Sequence, residues 1–253
     1  MPAPTVAARA LASARDERRT LERFTATEPD LDEAWGLAVQ DLDRAARLAA
    51  GERVTGAKLG LTSAPKQQTM GVHQPIVGFL TDAMAEGAFD VDALAQPRIE
   101  PEVAFVLAVD LGGPVADVRD VVASVCVALE VLDSRWTGYR FGLADVLADN
   151  TSAAGYLLGA PAPLPDDLRG REARWYVDGE LRSTTTPAAI LGDPLAALAH
   201  LATHLGRRGE VLPAGSVVLA GAMTDAVPLL PGTSVRVEVD GLEPLAWTRP
   251  AAG

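Results

Sequence analysis

The chain has 253 residues, 48% of them hydrophobic and 22% charged, which provides for one large soluble domain or for a small and a large one. A net charge of −12 without any Lys/Arg cluster argues against nucleic acid or an anionic membrane as partner, since both need a basic face. No uncharged apolar run approaches the roughly eighteen residues of a spanning helix, Arg9 to Arg19 interrupt any signal-peptide core, and the single Cys126 reads as a buried thiol, so a cytoplasmic protein is expected.

From about Thr5 to Arg23, Ala, Leu and Arg dominate without Gly or Pro, which predicts a helix with a charged outer face. A second helix, with Asp30 placed to cap it, carries Leu31, Trp35, Ala38, Val39, Leu42 and Ala46 at helical spacing until Gly51. Residues 1–55 therefore read as an N-terminal helical region and 56–253 as the catalytic domain. In Gly56-Ala57-Lys58-Leu59-Gly60-Leu61-Thr62-Ser63, a short strand candidate, glycines on both sides let backbone or ligand approach the lysine; a surface lysine in a turn fits the octet equally well. Pro65 to Met70 predicts a short helix, and 72–80 a loop running into a strand, with His73 a loop residue lacking metal-spaced partners.

After Pro97 the strand Ile99-Glu100-Pro101-Glu102-Val103-Ala104-Phe105 sets two carboxylates one pleat step apart on the same face. Two anions on so apolar a strand need a cation, a shared proton or open water. A divalent metal would serve; a solvated strand entrance is the alternative that this pair alone allows. Asp117 caps a short helix to about Val122, and Val125 to Leu132 reads as a buried strand interrupted by Glu130. An ionised glutamate there is a second sign of a cation site, with an ion pair to Arg135 as the alternative.

Asp149-Asn150-Thr151-Ser152 is a polar knot that turn chemistry explains in large part, and residues 174–181 predict a hairpin about Asp178-Gly179. A helix from Asp193-Pro194 to about Leu205 carries His200 and His204 one turn apart, but no glutamate lies between them and no third ligand is evident, so an ordinary helix face is expected. Gly215 to Gly221 is an apolar strand, and Ser234 to Val239 alternates cleanly before Asp240-Gly241 turns it back. Strands this numerous, with helices this irregularly placed, predict an α+β fold built on a mixed, rolled sheet rather than a doubly wound one.

Four motifs now stand in order: Gly-Ala-Lys58-Leu-Gly-Leu-Thr-Ser, Arg98-Ile-Glu100-Pro-Glu102-Val-Ala-Phe, Ala128-Leu-Glu130-Val-Leu-Asp133-Ser-Arg135 and Ala148-Asp149-Asn150-Thr-Ser152. As a set they resemble the family of 2-oxopent-4-enoate hydratases and 4-oxalocrotonate decarboxylases, relatives of the fumarylacetoacetate hydrolase C-terminal fold, over about Leu31 to Trp247. The resemblance implies that Glu100, Glu102 and Glu130 hold Mg²⁺ or Mn²⁺, a hard ion suited to carboxylate oxygen. It further implies that Lys58 manages a proton, that Ser152, Leu59 and Ile76 meet the substrate, and that Asp133, Arg135 and Asn150 orient the ligands from behind. Pro101 departs from the Ala usual in the family and suits a strand's first residue or an edge.

Hydratases of the family carry an aspartate in a Pro-Asp-(Phe/Tyr)-Gly motif, where this chain has Pro75-Ile76-Val77-Gly78. That isoleucine, Phe79-Leu80-Thr81-Asp82 and the Gly221-Ala-Met-Thr224-Asp225-Ala turn resemble the decarboxylase branch. The expected reaction is thus metal-dependent decarboxylation of an unsaturated 2-oxo dicarboxylate such as 2-oxo-3-hexenedioate. Hydration of 2-hydroxypenta-2,4-dienoate is the alternative; an acylpyruvate C–C hydrolase lacks a His–Glu pair near Lys58, and a non-catalytic partner subunit would not be expected to keep all four groups. The resemblance also implies a homo-oligomer, complexed with a pathway hydratase.

Overall fold

A computed structural model describes residues 1–251, and its elements follow the apolar periodicity of the sequence. In chain order come α1 (Pro4–Asp16), α2 (Glu33–Ala49), β1 (Val54–Gly60), α3 (Ala64–Met70), β2 (Ile76–Thr81), β3 (Arg98–Leu107), β4 (Val122–Leu132), α4 (Leu143–Ala148) and β5 (Ala153–Leu158). The hairpin β6 (Ala173–Val177) and β7 (Glu180–Thr185), helix α5 (Leu195–Arg208), and strands β8 (Val217–Ala222), β9 (Val227–Pro228), β10 (Ser234–Val239) and β11 (Leu245–Thr248) follow. One sheet has the order β2-β1-β8-β3-β4-β5 with β9 beside β3, and a second has the order β11-β10-β6-β7. Strands β1 and β8 run parallel while β1/β2, β3/β8, β3/β4 and β4/β5 run antiparallel, which makes the larger sheet mixed, as the α+β expectation requires.

Alternation decides what each face does. On β3, Ile99, Val103, Phe105 and Leu107 turn into a core shared with Trp175, Val235 and Val237 of the second sheet and with Leu198 and Leu201 of α5; Val125, Val127, Leu129 and Val131 of β4 do the same. The opposite face therefore receives Glu100, Glu102 and Ala104 from β3, Cys126, Ala128 and Glu130 from β4, and Lys58 from β1. On a flat sheet the three strand spacings from β1 to β4 would amount to about 14 Å. Lys58 Nζ nevertheless lies 3.1 Å from Glu130 Oε2, because the sheet curls this face inward as a half-barrel.

Helices α1 and α2 pack Ala7, Leu11, Trp35 and Val39 against Trp136, Ala144 and Ala148. Gly36 permits that approach: a Cβ there would stand 2.6 Å from the Ala144 carbonyl oxygen. Helix α1 stops at Asp16, short of the expected Arg23, because the chain turns at Arg18 (φ 53°) and Leu21 pairs with Trp136 instead. Asp32, not Asp30, caps α2, its Oδ1 accepting from the Trp35 N–H at 2.8 Å. Strand β1 starts at Val54, just ahead of the 55/56 division, and Gln40 of α2 donates to the Val77 and Leu147 carbonyls, so the helices are fastened to the sheet. The predicted hairpin turns at Asp178 (φ 52°) and Gly179 (φ 80°), the paired positive dihedrals that Asp-Gly supplies.

Candidate active site

Strand register brings six strand ends to one edge of the half-barrel: Gly60 lies opposite Ile76, Glu102 opposite Ala222, Arg98 opposite Leu132, and Leu132 opposite Ala153. Glu100 and Glu130 are direct cross-strand partners, an arrangement that repels unless something neutralises it. One carboxylate oxygen from each of Glu100, Glu102 and Glu130 lies within 4.8 Å of the others, and all three residues are buried. Glu102 Oε2 accepts from the Gly221 N–H at 2.8 Å, whereas Glu102 Oε1 and Glu130 Oε1 are buried without a hydrogen-bond partner. A solvated strand entrance does not describe this pair.

Fully ionised, three carboxylates and one ammonium leave two negative charges uncompensated, the amount a divalent cation carries. Burial and then the neighbouring anions Glu130 and Glu100 push the Glu102 carboxyl well above its usual range. Burial likewise raises Glu130 to about 7, against the pull of Lys58. For Lys58, burial works downward, but Glu130, Glu100 and Glu102 outweigh it and hold the ammonium charged. Two orphaned oxygens among hard carboxylate donors suit Mg²⁺ or Mn²⁺. Among the described residues this is the one such group of three or more potential ligands; His200 and His204 stand half-buried on α5 apart from it.

Pro101 sits inside the central strand β3 rather than at its start. Its missing N–H falls where pairing passes from β9 (Ile99 with Val227) to β8 (Glu102 with Ala222), and its carbonyl accepts from the Met223 N–H at 2.9 Å. Glu130 pairs with Lys58, not with Arg135. Arg135 instead bonds Asp149 at 2.5 Å and Asp133 at 3.5 Å, and Asp133 accepts from the Gln96 and Ala95 N–H groups. These residues fasten the loops behind the strand ends and make no direct bond to the three glutamates.

Residues Asn150, Thr151 and Ser152 all take left-handed dihedrals, φ 46°, 54° and 63°. Each costs on the order of 1–3 kcal/mol in a residue with a side chain, so surrounding bonds must impose it. Asn150 clamps β2, accepting from the Phe79 N–H at 2.9 Å and donating to the Phe79 carbonyl at 3.0 Å. Lys58 Nζ donates to the Thr151 carbonyl at 3.2 Å, and the Asp133 N–H to the Ser152 carbonyl at 2.9 Å. The turn thereby leaves Ser152 Oγ buried without a hydrogen-bond partner at the edge of a cavity.

That cavity measures about 530 Å³. Lys58, Glu100 and Ser152 line it on the polar side, and Leu61, Met70, Ile76, Phe141 and Val146 supply aliphatic and aromatic wall. Leu59 does not line it; its side chain is 1% exposed in the core on the other face, as its place next to Lys58 along a strand demands. Arg98 and Tyr139 also line the cavity and have no assigned role in the sequence reading. Arg98 had a usable signal, since it precedes Glu100 by two and so shares its face.

A sequence profile described as Fumarylacetoacetate (FAA) hydrolase C-terminal matches residues 64–248. The chain is 38% identical over 230 residues to a 4-oxalocrotonate decarboxylase of Pseudomonas sp. (strain CF600), covering 88% of this chain and 87% of that protein. It is 38% identical over 240 residues to a 2-keto-4-pentenoate hydratase of Burkholderia vietnamiensis, covering 92% of each. Among solved structures, the 4-oxalocrotonate decarboxylase from Pseudomonas putida G7, complexed with magnesium and adipate, superposes with a TM-score of 0.89 at 33% identity, covering 96% of this chain and 95% of that one.

Proposed function

Because the chain belongs to the fumarylacetoacetate hydrolase C-terminal family, we propose that its buried glutamates hold Mg²⁺ or Mn²⁺ and that it decarboxylates an unsaturated 2-oxo dicarboxylate, with 2-oxo-3-hexenedioate as the type substrate. Glu100, Glu102 and Glu130 are the ligands, and the bound ion supplies a Lewis acid for the 2-oxo acid end. The C5–C6 bond breaks, carbon dioxide departs, and the electron pair passes through the conjugated chain to the 2-oxo oxygen, which takes a proton to give 2-hydroxypenta-2,4-dienoate. Lys58 holds that proton at Nζ, kept charged by Glu130 and positioned by the Thr151 carbonyl. Ser152 Oγ donates to the substrate carboxylate. Asn150 acts on the substrate only by holding the turn that presents Ser152.

The observation that favours decarboxylation over hydration is Ile76, 8% exposed and packed on Val146 and Leu147 in the cavity wall. An aliphatic side chain at that position cannot activate water, and an apolar wall destabilises a carboxylate that the reaction removes. Relatives named 4-oxalocrotonate decarboxylase, 37–40% identical, support the same reading. Purified protein with Mg²⁺ is expected to release carbon dioxide from 2-oxo-3-hexenedioate, with the dienoate identified by NMR. Hydration of the C5 dienoate without carbon dioxide release would transfer the assignment to the hydratase alternative. A cytoplasmic homo-oligomer that associates with the hydratase consuming its product belongs to the same proposal; light scattering of the protein alone and of the mixture tests the association.

A further inference from the structure

We propose that Arg98 grips the 1-carboxylate of the substrate, the one that the reaction retains, and thereby decides which end of the dicarboxylate faces the aliphatic wall. This rests on reading the cavity as a site for a 2-oxo dicarboxylate. Arg98 opens β3 on the same face as Glu100, one pleat step further out, and lines the same cavity. Its guanidinium carbon lies 4.1 Å from the centroid of the Tyr139 ring. The Tyr139 hydroxyl donates to the Gln96 and Leu132 carbonyls at 3.2 and 3.1 Å, which fixes the ring as a platform. Stacking engages the flat face of a guanidinium and leaves its edge, where all five N–H donors point, for a planar anion. Among the described residues no carboxylate or carbonyl bonds that edge.

Among the described residues the cavity has one other cation, and it is already committed: Lys58 pairs with Glu130 and donates to Thr151. Arg98 is therefore the cation with donors to spare for an incoming anion. Of the two substrate carboxylates, the one next to the 2-oxo group is the one that a divalent ion held by the three glutamates would attract, and so it would lie near Glu100, the neighbour of Arg98 on its strand. The far carboxylate then extends toward Leu61, Ile76 and Val146. The chemistry agrees with that orientation. An arginine on the departing carboxylate would stabilise the ground state and oppose release of carbon dioxide, whereas one on the retained carboxylate binds ground and transition state alike.

The test compares two unreactive saturated ligands by calorimetry on the Mg²⁺-loaded protein: 2-oxopentanoate, which has the 1-carboxylate alone, and 2-oxohexanedioate, which has both. Arg98→Gln is expected to weaken both by a common factor of about 10 or more. Arg98→Lys should recover part of that loss, since it keeps the charge and loses the fork. Mg²⁺ affinity without ligand and the melting temperature should stay at the parental values, and KM for 2-oxo-3-hexenedioate should rise while kcat changes little. Loss confined to 2-oxohexanedioate would place Arg98 on the far carboxylate and overturn the proposal, as would no loss for either ligand. Failure of the unaltered protein to bind either 2-oxo acid with Mg²⁺ would instead overturn the substrate reading, and this inference with it, before any variant is compared.

Discussion

At Glu102 a fully buried carboxylate keeps one oxygen on the Gly221 amide and leaves the other with no partner, between Glu100 and Glu130. Such an arrangement is costly in the metal-free protein and favourable only once a cation arrives. Glu102→Gln is therefore expected to lower Mg²⁺ affinity by at least about 100-fold while leaving the metal-free fold as stable as the parent or more so; calorimetric titration and urea unfolding measure the two effects. Unchanged Mg²⁺ affinity would sink the ligand assignment. Glu130 sets the pH dependence near neutrality. Its carboxyl is raised to about 7, so in the metal-free native state it keeps a proton that the unfolded chain releases from about 4.5 upward. The native state thus binds more protons between those values, and metal-free stability falls as pH rises through that window. Mg²⁺ must displace that proton and the one that burial and the neighbouring anions keep on Glu102, so its affinity should climb as pH rises through about 7. Titrations at about pH 6 and about pH 8, in buffers of differing ionisation heat, read both the affinity and the proton released. An affinity that ignores pH would contradict the placement of Glu130 among the ligands.

Among the elements, the 150–152 turn depends most on the rest of the fold, because three consecutive left-handed residues persist only where contacts over-determine them. Asn150→Ala removes both bonds to Phe79 and strands a buried N–H and carbonyl there, at a cost of about 2–3 kcal/mol in urea unfolding. Activity should fall further than stability, since Ser152 and the Thr151 carbonyl move with the turn. The chain shows plainly why some of this was legible in sequence. Glutamates on β3 and β4, the Asp178-Gly179 hairpin and α5 follow from period and turn chemistry, which act over a few residues. Leu59 was equally legible, since alternation beside Lys58 sends it to the opposite face. The clamp from Asn150 to Phe79 was not, because its partners lie 71 positions apart. Nor was the end of α1, where pairing of Leu21 with Trp136 overrides good helix propensity through Arg23. Arg135 had several acids within reach of its loop, and only the fold decides for Asp149 over Glu130.

On the scale of the whole molecule, the proposed metal ligands come from two neighbouring strands whose far faces form the main core, while α1 and α2 rest on the segment that carries α4. Gln40 bridges the two regions, bonding Val77 on β2 and Leu147 on α4. If these bonds make one cooperative unit, an ion that binds only the native state stabilises the helices as much as the sheet. At a free concentration about 100 times its dissociation constant, Mg²⁺ adds about 2.7 kcal/mol. For a chain of this size that raises Tm by roughly 5–10 °C. Trp35 and Trp136 lie in the helical cluster and Trp175 in the core between the sheets, so two probes can be separated. In a variant with Trp175→Phe and Trp247→Phe, fluorescence reports the helices and far-ultraviolet dichroism the whole chain. The expected result is a single transition by both probes, shifted equally by Mg²⁺, and unshifted once Glu102→Gln is added. A shift seen by dichroism but absent from the helical tryptophans would mean that α1 and α2 unfold on their own, with the Gln40 bonds too weak to couple them to the site. A shift that survives Glu102→Gln would mean that Mg²⁺ acts elsewhere on the molecule.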